Sequence, residues 1–206
     1  MADARLSQIL GSARRATYLL TSTNTSLAIP SWAQNGKSIV LVTACGGGAG
    51  GASGGTAGGG AACAVEFPLA IPSGAATMSV TIGAAGVTGA SVGAGGDTTI
   101  AIGGTNAVQL AGGTTTGGRP RLWSVPASAW RDVNYGTGTS TLQNIAPIVA
   151  ALLVPGGATL SAGVGGSSLF GANGAASTAA VGFGAAGGSG ANGAPGFALL
   201  TFVEGA

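Results

Sequence analysis

The sequence predicts a mostly β fold in which short strands alternate with glycine-rich extended helices, packed side by side into a sandwich and preceded by a short N-terminal helical arm. Three observations predict it. Glycine supplies 42 of 206 residues while charged residues make up only 6 %, against a usual charged share of about 25 %. Short β-branched runs bracket the glycine stretches. Glycine also recurs every third residue, at Gly83, Gly86 and Gly89 and again at Gly184, Gly187, Gly190, Gly193 and Gly196.

Such a chain should order itself. Disordered chains combine low hydrophobicity with high net charge, whereas this one is 46 % hydrophobic with a net charge of +2 and a mean hydropathy of +0.51. Glycine and alanine bury little apolar area each, and hydrophobic stabilisation scales at roughly 25 cal/mol per Å². Main-chain hydrogen bonds and contacts with partners are therefore expected to carry much of the stability, which argues for an assembly.

Residues 1–20 read as a docking arm. Asp3 is placed to cap a short helix with Leu6, Ile9 and Leu10 on one stripe and Gly11 at its end. Leu6, Ile9, Leu10, Arg14 and Arg15 are the candidate particle-docking residues. Arg14-Arg15 is not followed by the apolar stretch of an export signal.

Residues 21–113 form the first half of the β and glycine-rich domain. The apolar piece at 27–30, the β-branched run at 38–44 and the pieces at 64–67 and 77–82 read as strands, with Pro68 and Pro72 as punctuation. Residues 46–60 are a glycine run flanked by Cys45 and Cys63. The two cysteines could form a bridge, but the favoured reading is two small buried hydrophobes.

The three-residue glycine period belongs to a left-handed extended helix of polyglycine II type, with about 3.1 Å rise and no internal hydrogen bonds. Its N–H and C=O groups point outward, and buried ones need partners. Several such segments must therefore lie side by side. The longest run is too short and interrupted for collagen.

Residues 114–147 read as an aromatic and basic insertion, holding Arg119, Arg121, Trp123, Trp130, Arg131 and Tyr135. Tryptophan and tyrosine offer apolar faces with a hydrogen-bonding handle, and arginine forks fit carboxylate or phosphate groups. These six are the candidate receptor-contact residues; the alternative is a contact between subunits or a local mini-core. Residues 148–206 return to the glycine-rich scaffold, with a final strand over 196–204 that alternates well enough to close a sheet.

Chemistry-bearing patterns are weak. Residues 46–51 satisfy G-x-G-x-x-G after a strand, yet the glycines of 52–60 oppose the helix that motif needs. Gly36-Lys37-Ser38 lacks the first glycine of a P-loop, since position 31 is Ser31. With no histidine in the chain, the common triads and His-ligated metal sites are excluded. The five carboxylates are scattered. The reading is no enzyme, no metal and no cofactor. A near-neutral charge does not indicate nucleic-acid binding, and the apolar run at 145–154, interrupted by Pro147, is too short to span a membrane.

Ala28-Ile29-Pro30, the strand at 39–43 leading into Gly46-Gly47-Gly48, Ser79-Val80-Thr81-Ile82-Gly83, Gly95-Gly96-Asp97-Thr98-Thr99 and Leu110-Ala111-Gly112-Gly113 form a distinctive set. Together with Gly193-Ala194-Pro195-Gly196 before the last strand, they resemble the glycine-rich domain of bacteriophage tail-fibre and tail-tip adhesins. The resemblance covers about 25–113 and 155–204. It implies glycine-rich helices packed as a sandwich, loops between them that contact a receptor, and a role in host attachment. On that basis the expected partners are other virion tail proteins and a host cell-surface receptor, either a glycan or an outer-membrane protein. A homo-oligomer is expected, a trimer by analogy with tail symmetry, in a virion assembled in the host cytoplasm. A purely structural virion part, such as a connector or head decoration, is the competing expectation.

Overall fold

A computed structural model of the chain describes residues 14–124, 128–133, 153–159 and 163–205. It is mostly β. Among the described residues thirteen strands run in chain order: β1 (Arg15–Leu20), β2 (Asn24–Ala28), β3 (Ile39–Cys45), β4 (Cys63–Ala70), β5 (Thr77–Thr81), β6 (Thr98–Ile102), β7 (Thr105–Leu110), β8 (Pro120–Ser124), β9 (Ala129–Asp132), β10 (Leu153–Val154), β11 (Gly171–Ala172), β12 (Val181–Gly182) and β13 (Phe197–Val203). They form a five-stranded sheet in the order β1-β13-β3-β4-β10, a six-stranded sheet β2-β5-β6-β7-β8-β9, and the small β11-β12 pair.

The two large sheets share one core. Val40 and Val42 of β3, Leu200 and Phe202 of β13, and Phe67 of β4 belong to the same buried cluster as Met78, Val80, Ile100, Ile102, Val108 and Leu110 of the second sheet. These residues alternate along their strands, as the β3 pattern of half-buried and buried positions shows. The interior is thus more conventional than the composition suggests. The bulky aliphatic residues are few, but they are concentrated on facing strands.

Three local features depart from the expectations. The N-terminal helical arm is not seen: residues 15–20 are strand β1, paired with β13 in unbroken register. Ala16 and Leu20 pack against the core, so pairing with β13 determines the backbone here. Leu6, Ile9 and Leu10 lie outside the described residues. The closing strand β13 is central, between β1 and β3. Pro68 sits inside β4, opposite Leu41, where β10 no longer reaches, since β10 pairs only with Cys63 and Ala64. An edge position tolerates a residue without an N–H.

The cysteines are joined. Cys45 and Cys63 face each other across β3 and β4, with Cα atoms 4.2 Å apart and a disulfide between them. The reading of two separate buried hydrophobes is therefore corrected; direct cross-strand opposition brings the sulfurs together. Ala61 and Phe197 complete a second buried cluster here, against which Phe170, Phe183 and Leu199 pack.

The glycine-rich segments contain no assigned helix. Among the described residues, the only helical element is a single 3-10 turn at Ser31–Ala33. The segments are extended chain whose hydrogen bonds go to neighbouring segments instead of along themselves. In segment 46–52, Gly46, Ala49 and Ala52 donate to Ala62, Gly59 and Thr56, at 3.0, 3.1 and 2.6 Å. Gly47 and Gly50 donate to Gly96 and Gly93, at 2.9 and 2.8 Å, while Gly48 and Gly51 donate to Ala194 and Ala191, both at 2.8 Å. Three further segments donate back: Gly113 to Gly47 at 2.8 Å, Gly86 to Gly48 at 2.8 Å and Gly187 to Ala49 at 3.0 Å.

Glycine is required by this closeness. A Cβ on Gly47 would lie under 3.0 Å from the Ala84 carbonyl, and one on Gly113 would meet Gly59 in the same way. The glycines are therefore not loose connectors. Segment 46–52 is an interior strand of main chain, enclosed by six others, and residues 46–52 are buried.

Candidate recognition surface

The aromatic and basic residues fall on the β8–β9 hairpin at one edge of the six-stranded sheet. Its register sets Arg121 opposite Asp132, Leu122 opposite Arg131, Trp123 opposite Trp130 and Ser124 opposite Ala129. Residues opposed across an antiparallel pair share a face. Leu122 packs against the core, so the Leu122–Arg131 row lies on the core-facing side and the Arg121–Asp132 row on the outer side.

Arg121 is engaged within the protein. Its Nε donates to Asp132 Oδ1 at 2.7 Å, and a terminal nitrogen donates to Gln109 Oε1 at 3.4 Å. Gln109 in turn donates to Asp97 Oδ2 at 2.6 Å, whose other oxygen accepts from the Gly112 N–H at 2.8 Å. This polar chain ties the hairpin to glycine segment 111–118. The Arg121–Asp132 ion pair is about 40 % exposed on both sides, so it contributes at most about 1 kcal/mol.

Arg119, just before β8, and Arg131 are exposed, and among the described residues neither forms an ion pair. Trp130 is half-buried. The structure thus brings Arg119, Arg121, Trp123, Trp130 and Arg131 onto one hairpin and its lead-in, with Arg131 on the opposite face from Arg121. Tyr135 lies outside the described residues. Of the docking candidates, Arg14 donates its main-chain N–H to Glu204 Oε2 at 3.2 Å, and Arg15 is exposed on β1.

A second surface was not legible in the sequence. The loops that join the glycine segments, distal in the chain to the strands of the two large sheets, meet one another. The Ser53 N–H donates to the Gly89 carbonyl at 2.8 Å, Gly190 to Ala52 at 3.0 Å and Ser177 to Ser189 at 2.9 Å. Thr88 joins them through its N–H to Asn192 Oδ1 at 2.8 Å and its hydroxyl to the Gly51 carbonyl at 2.8 Å. Residues 53–56, 87–91 and 175–179 are exposed. They present hydroxyls, main-chain polar groups and the apolar side chain of Val87, without a charge. Three-residue glycine spacing was the one signal available, and it does not say which loops meet.

Among the described residues there is no group of three or more His, Cys, Asp or Glu side chains suited to a metal. No helix there is long and apolar enough to cross a membrane. No protein-family model matches the chain, and no curated protein matches it.

Proposed function

We propose that this chain is a structural and host-recognition component of a bacteriophage tail, a glycine-rich tail-fibre or tail-tip adhesin, and not an enzyme. The observation that carries this reading is segment 46–52, whose successive N–H groups go to three different neighbours in a strict three-residue cycle. That cycle supports treating the glycine segments as polyglycine II-like helices, since three residues per turn aims consecutive N–H groups about 120° apart. A lattice of this kind holds main chain rigidly with few large side chains. It supports presenting loops to a partner without the ordering cost that flexible loops pay on binding.

Two surfaces suit the role. The uncharged distal loops at 53–56, 87–91 and 175–179 fit a neutral polar receptor such as a glycan. The hairpin bearing Arg119, Trp123, Trp130 and Arg131, with Tyr135 following in sequence, suits stacking on a sugar or gripping an anionic polymer. Residues 1–20, with Leu6, Ile9, Leu10, Arg14 and Arg15, are the proposed attachment to other tail proteins, and the site of action is the virion. The test is adsorption of particles carrying Trp123→Ala with Trp130→Ala, beside particles with Thr88→Lys in a distal loop. Reduced adsorption by either supports recognition; unchanged adsorption by both removes it.

A purely structural virion part is the second reading. It is favoured by the engagement of Arg121 with Asp132 and Gln109, which commits two of that guanidinium's five N–H donors to contacts within the protein. Purified protein that neither binds host cells nor competes with infection supports this reading over the first.

A further inference from the structure

Asparagine is followed by glycine at Asn35-Gly36, Asn173-Gly174 and Asn192-Gly193. In such a pair the next main-chain nitrogen can reach the asparagine side chain with little hindrance, because glycine carries no Cβ. The fold treats these pairs differently. The Gly174 N–H donates to the Ala186 carbonyl and the Gly193 N–H to the Gly86 carbonyl, both at 3.0 Å, so both nitrogens are held by bonds between glycine segments. The Gly36 N–H has no acceptor among the described residues.

Asn35, Gly36 and Lys37 are exposed, in the turn between the 3-10 turn at Ser31–Ala33 and β3. Gly36 has a φ of 75°, which favours glycine there. The Asn35 Oδ1 accepts from the Lys37 N–H at 2.8 Å, the Ser38 N–H at 2.9 Å and the Ser38 hydroxyl at 3.1 Å. Donors already aimed at one carbonyl oxygen stabilise the negative charge that develops on it when its carbon is attacked. An unengaged nucleophile, an exposed turn and a preformed set of donors thus coincide at Asn35 alone among these pairs.

We infer that Asn35 is a site of spontaneous deamidation, while Asn173 and Asn192 are protected as long as the chain is folded. Hydroxide from solvent removes the Gly36 N–H proton, and the nitrogen bonds to the Asn35 Cγ, placing the charge on Oδ1. The Cγ–Nδ2 bond then breaks; the nitrogen takes a proton from water, which returns hydroxide, and leaves as ammonia. A succinimide remains. Water opens it at either carbonyl, giving aspartate or an isoaspartate whose main chain runs through Cβ and Cγ. The net change is one water consumed and one ammonia released, with no oxidation.

This turn anchors distant parts of the chain. The Gln34 carbonyl accepts the Gly74 N–H at 2.9 Å and the Ser38 carbonyl the Ile71 N–H at 3.1 Å, and the Ser38 hydroxyl oxygen accepts the Gly205 N–H at 3.1 Å. Aspartate keeps the acceptor and adds a negative charge two residues from Lys37. Isoaspartate turns Oδ1 into a main-chain oxygen and loosens the hold on Ser38. Asparagine is thermolabile in this sense generally; here the fold selects which one reacts.

The test incubates the purified full chain, folded, at mildly alkaline pH and follows each pair by peptide mapping, with isoaspartate scored by enzymatic methyl transfer. A parallel sample is held in denaturant. In the folded chain Asn35 should convert more than about tenfold faster than Asn173 or Asn192, where attack waits on local opening. In denaturant the three should convert at similar rates. Asn35→Gln, whose longer side chain closes only a larger ring, should suppress ammonia release from the folded chain. Conversion at Asn35 no faster than at the other two in the folded chain, or ammonia release unchanged by Asn35→Gln, would overturn the inference.

Discussion

The hydroxyl of Thr98 donates a 2.7 Å hydrogen bond to the carbonyl of Cys45, joining the start of β6 in one sheet to the end of β3 in the other. The same oxygen accepts the Gly83 N–H at 2.9 Å. Thr98 is fully buried, and it stands where both sheets hand over to glycine segments. One side chain thus satisfies two main-chain groups at the seam between two kinds of interior.

Thr98→Val keeps the shape and removes the hydroxyl. It leaves the Gly83 N–H and one lone pair of the Cys45 carbonyl without a partner, and a buried unpaired group costs about 1–3 kcal/mol. Denaturant unfolding should show that loss, and Thr98→Ser should recover most of it. A Val variant as stable as the parent contradicts the role assigned to the hydroxyl.

Gly47→Ala and Gly113→Ala test the closeness of the lattice. Each new Cβ would meet a carbonyl of a neighbouring segment, and overpacking of this kind costs about 1–3 kcal/mol or more. Gly54→Ala is the control, because nothing lies within 4 Å of that position; its effect should fall within about 0.5 kcal/mol. Thermal melting of the three variants orders them directly.

The Cys45–Cys63 bridge closes a loop with a sequence separation of 18. Cross-linking a loop of that size stabilises by about 3 kcal/mol in the chain-entropy description. Native protein should take up no thiol reagent until it is reduced. Cys45→Ala with Cys63→Ala should lower the denaturant midpoint accordingly, and rapid alkylation of the unreduced native chain would contradict the bridge.

Leu200→Ala probes the conventional core. Leu200 is fully buried between the sheets, and such truncations cost about 2–5 kcal/mol. Leu19→Ala, on the same sheet but 63 % exposed, should barely change the unfolding free energy of the monomer. Comparable losses at the two positions would contradict the division of inner and outer faces.

Much of the sheet was legible because its signals are local. The β-branched run at 38–44 became β3, and the pieces at 64–67 and 77–82 became parts of β4 and β5. At the start of the chain the helical pattern of Leu6, Ile9 and Leu10 falls outside the described residues, and it gave no warning that 15–20 would be held by β13. The cysteine bridge was hidden for a related reason. Only the register of β3 against β4, shifted by a bulge between Val42 and Ala44, brings Cys45 opposite Cys63. At the candidate surface, the clustering of Arg121, Trp123 and Trp130 could be read from spacing, but the engagement of Arg121 with Asp132 needed a hairpin that spacing does not specify. The distal loops were invisible, since glycine spacing carries no information about which turns meet.

Amide hydrogen exchange across residues 46–52 tests the central claim most directly. In the hydrogen-bonded lattice, the amides of Gly46 to Gly51 should exchange as slowly as those of Val40 and Val42 in β3, through opening on the scale of global unfolding. Gly54, exposed in the loop beyond the segment, should exchange within the dead time. Exchange at Gly47, Gly48, Gly50 and Gly51 as fast as at Gly54 would contradict the account, because the glycine segments would then be connectors and not an interior.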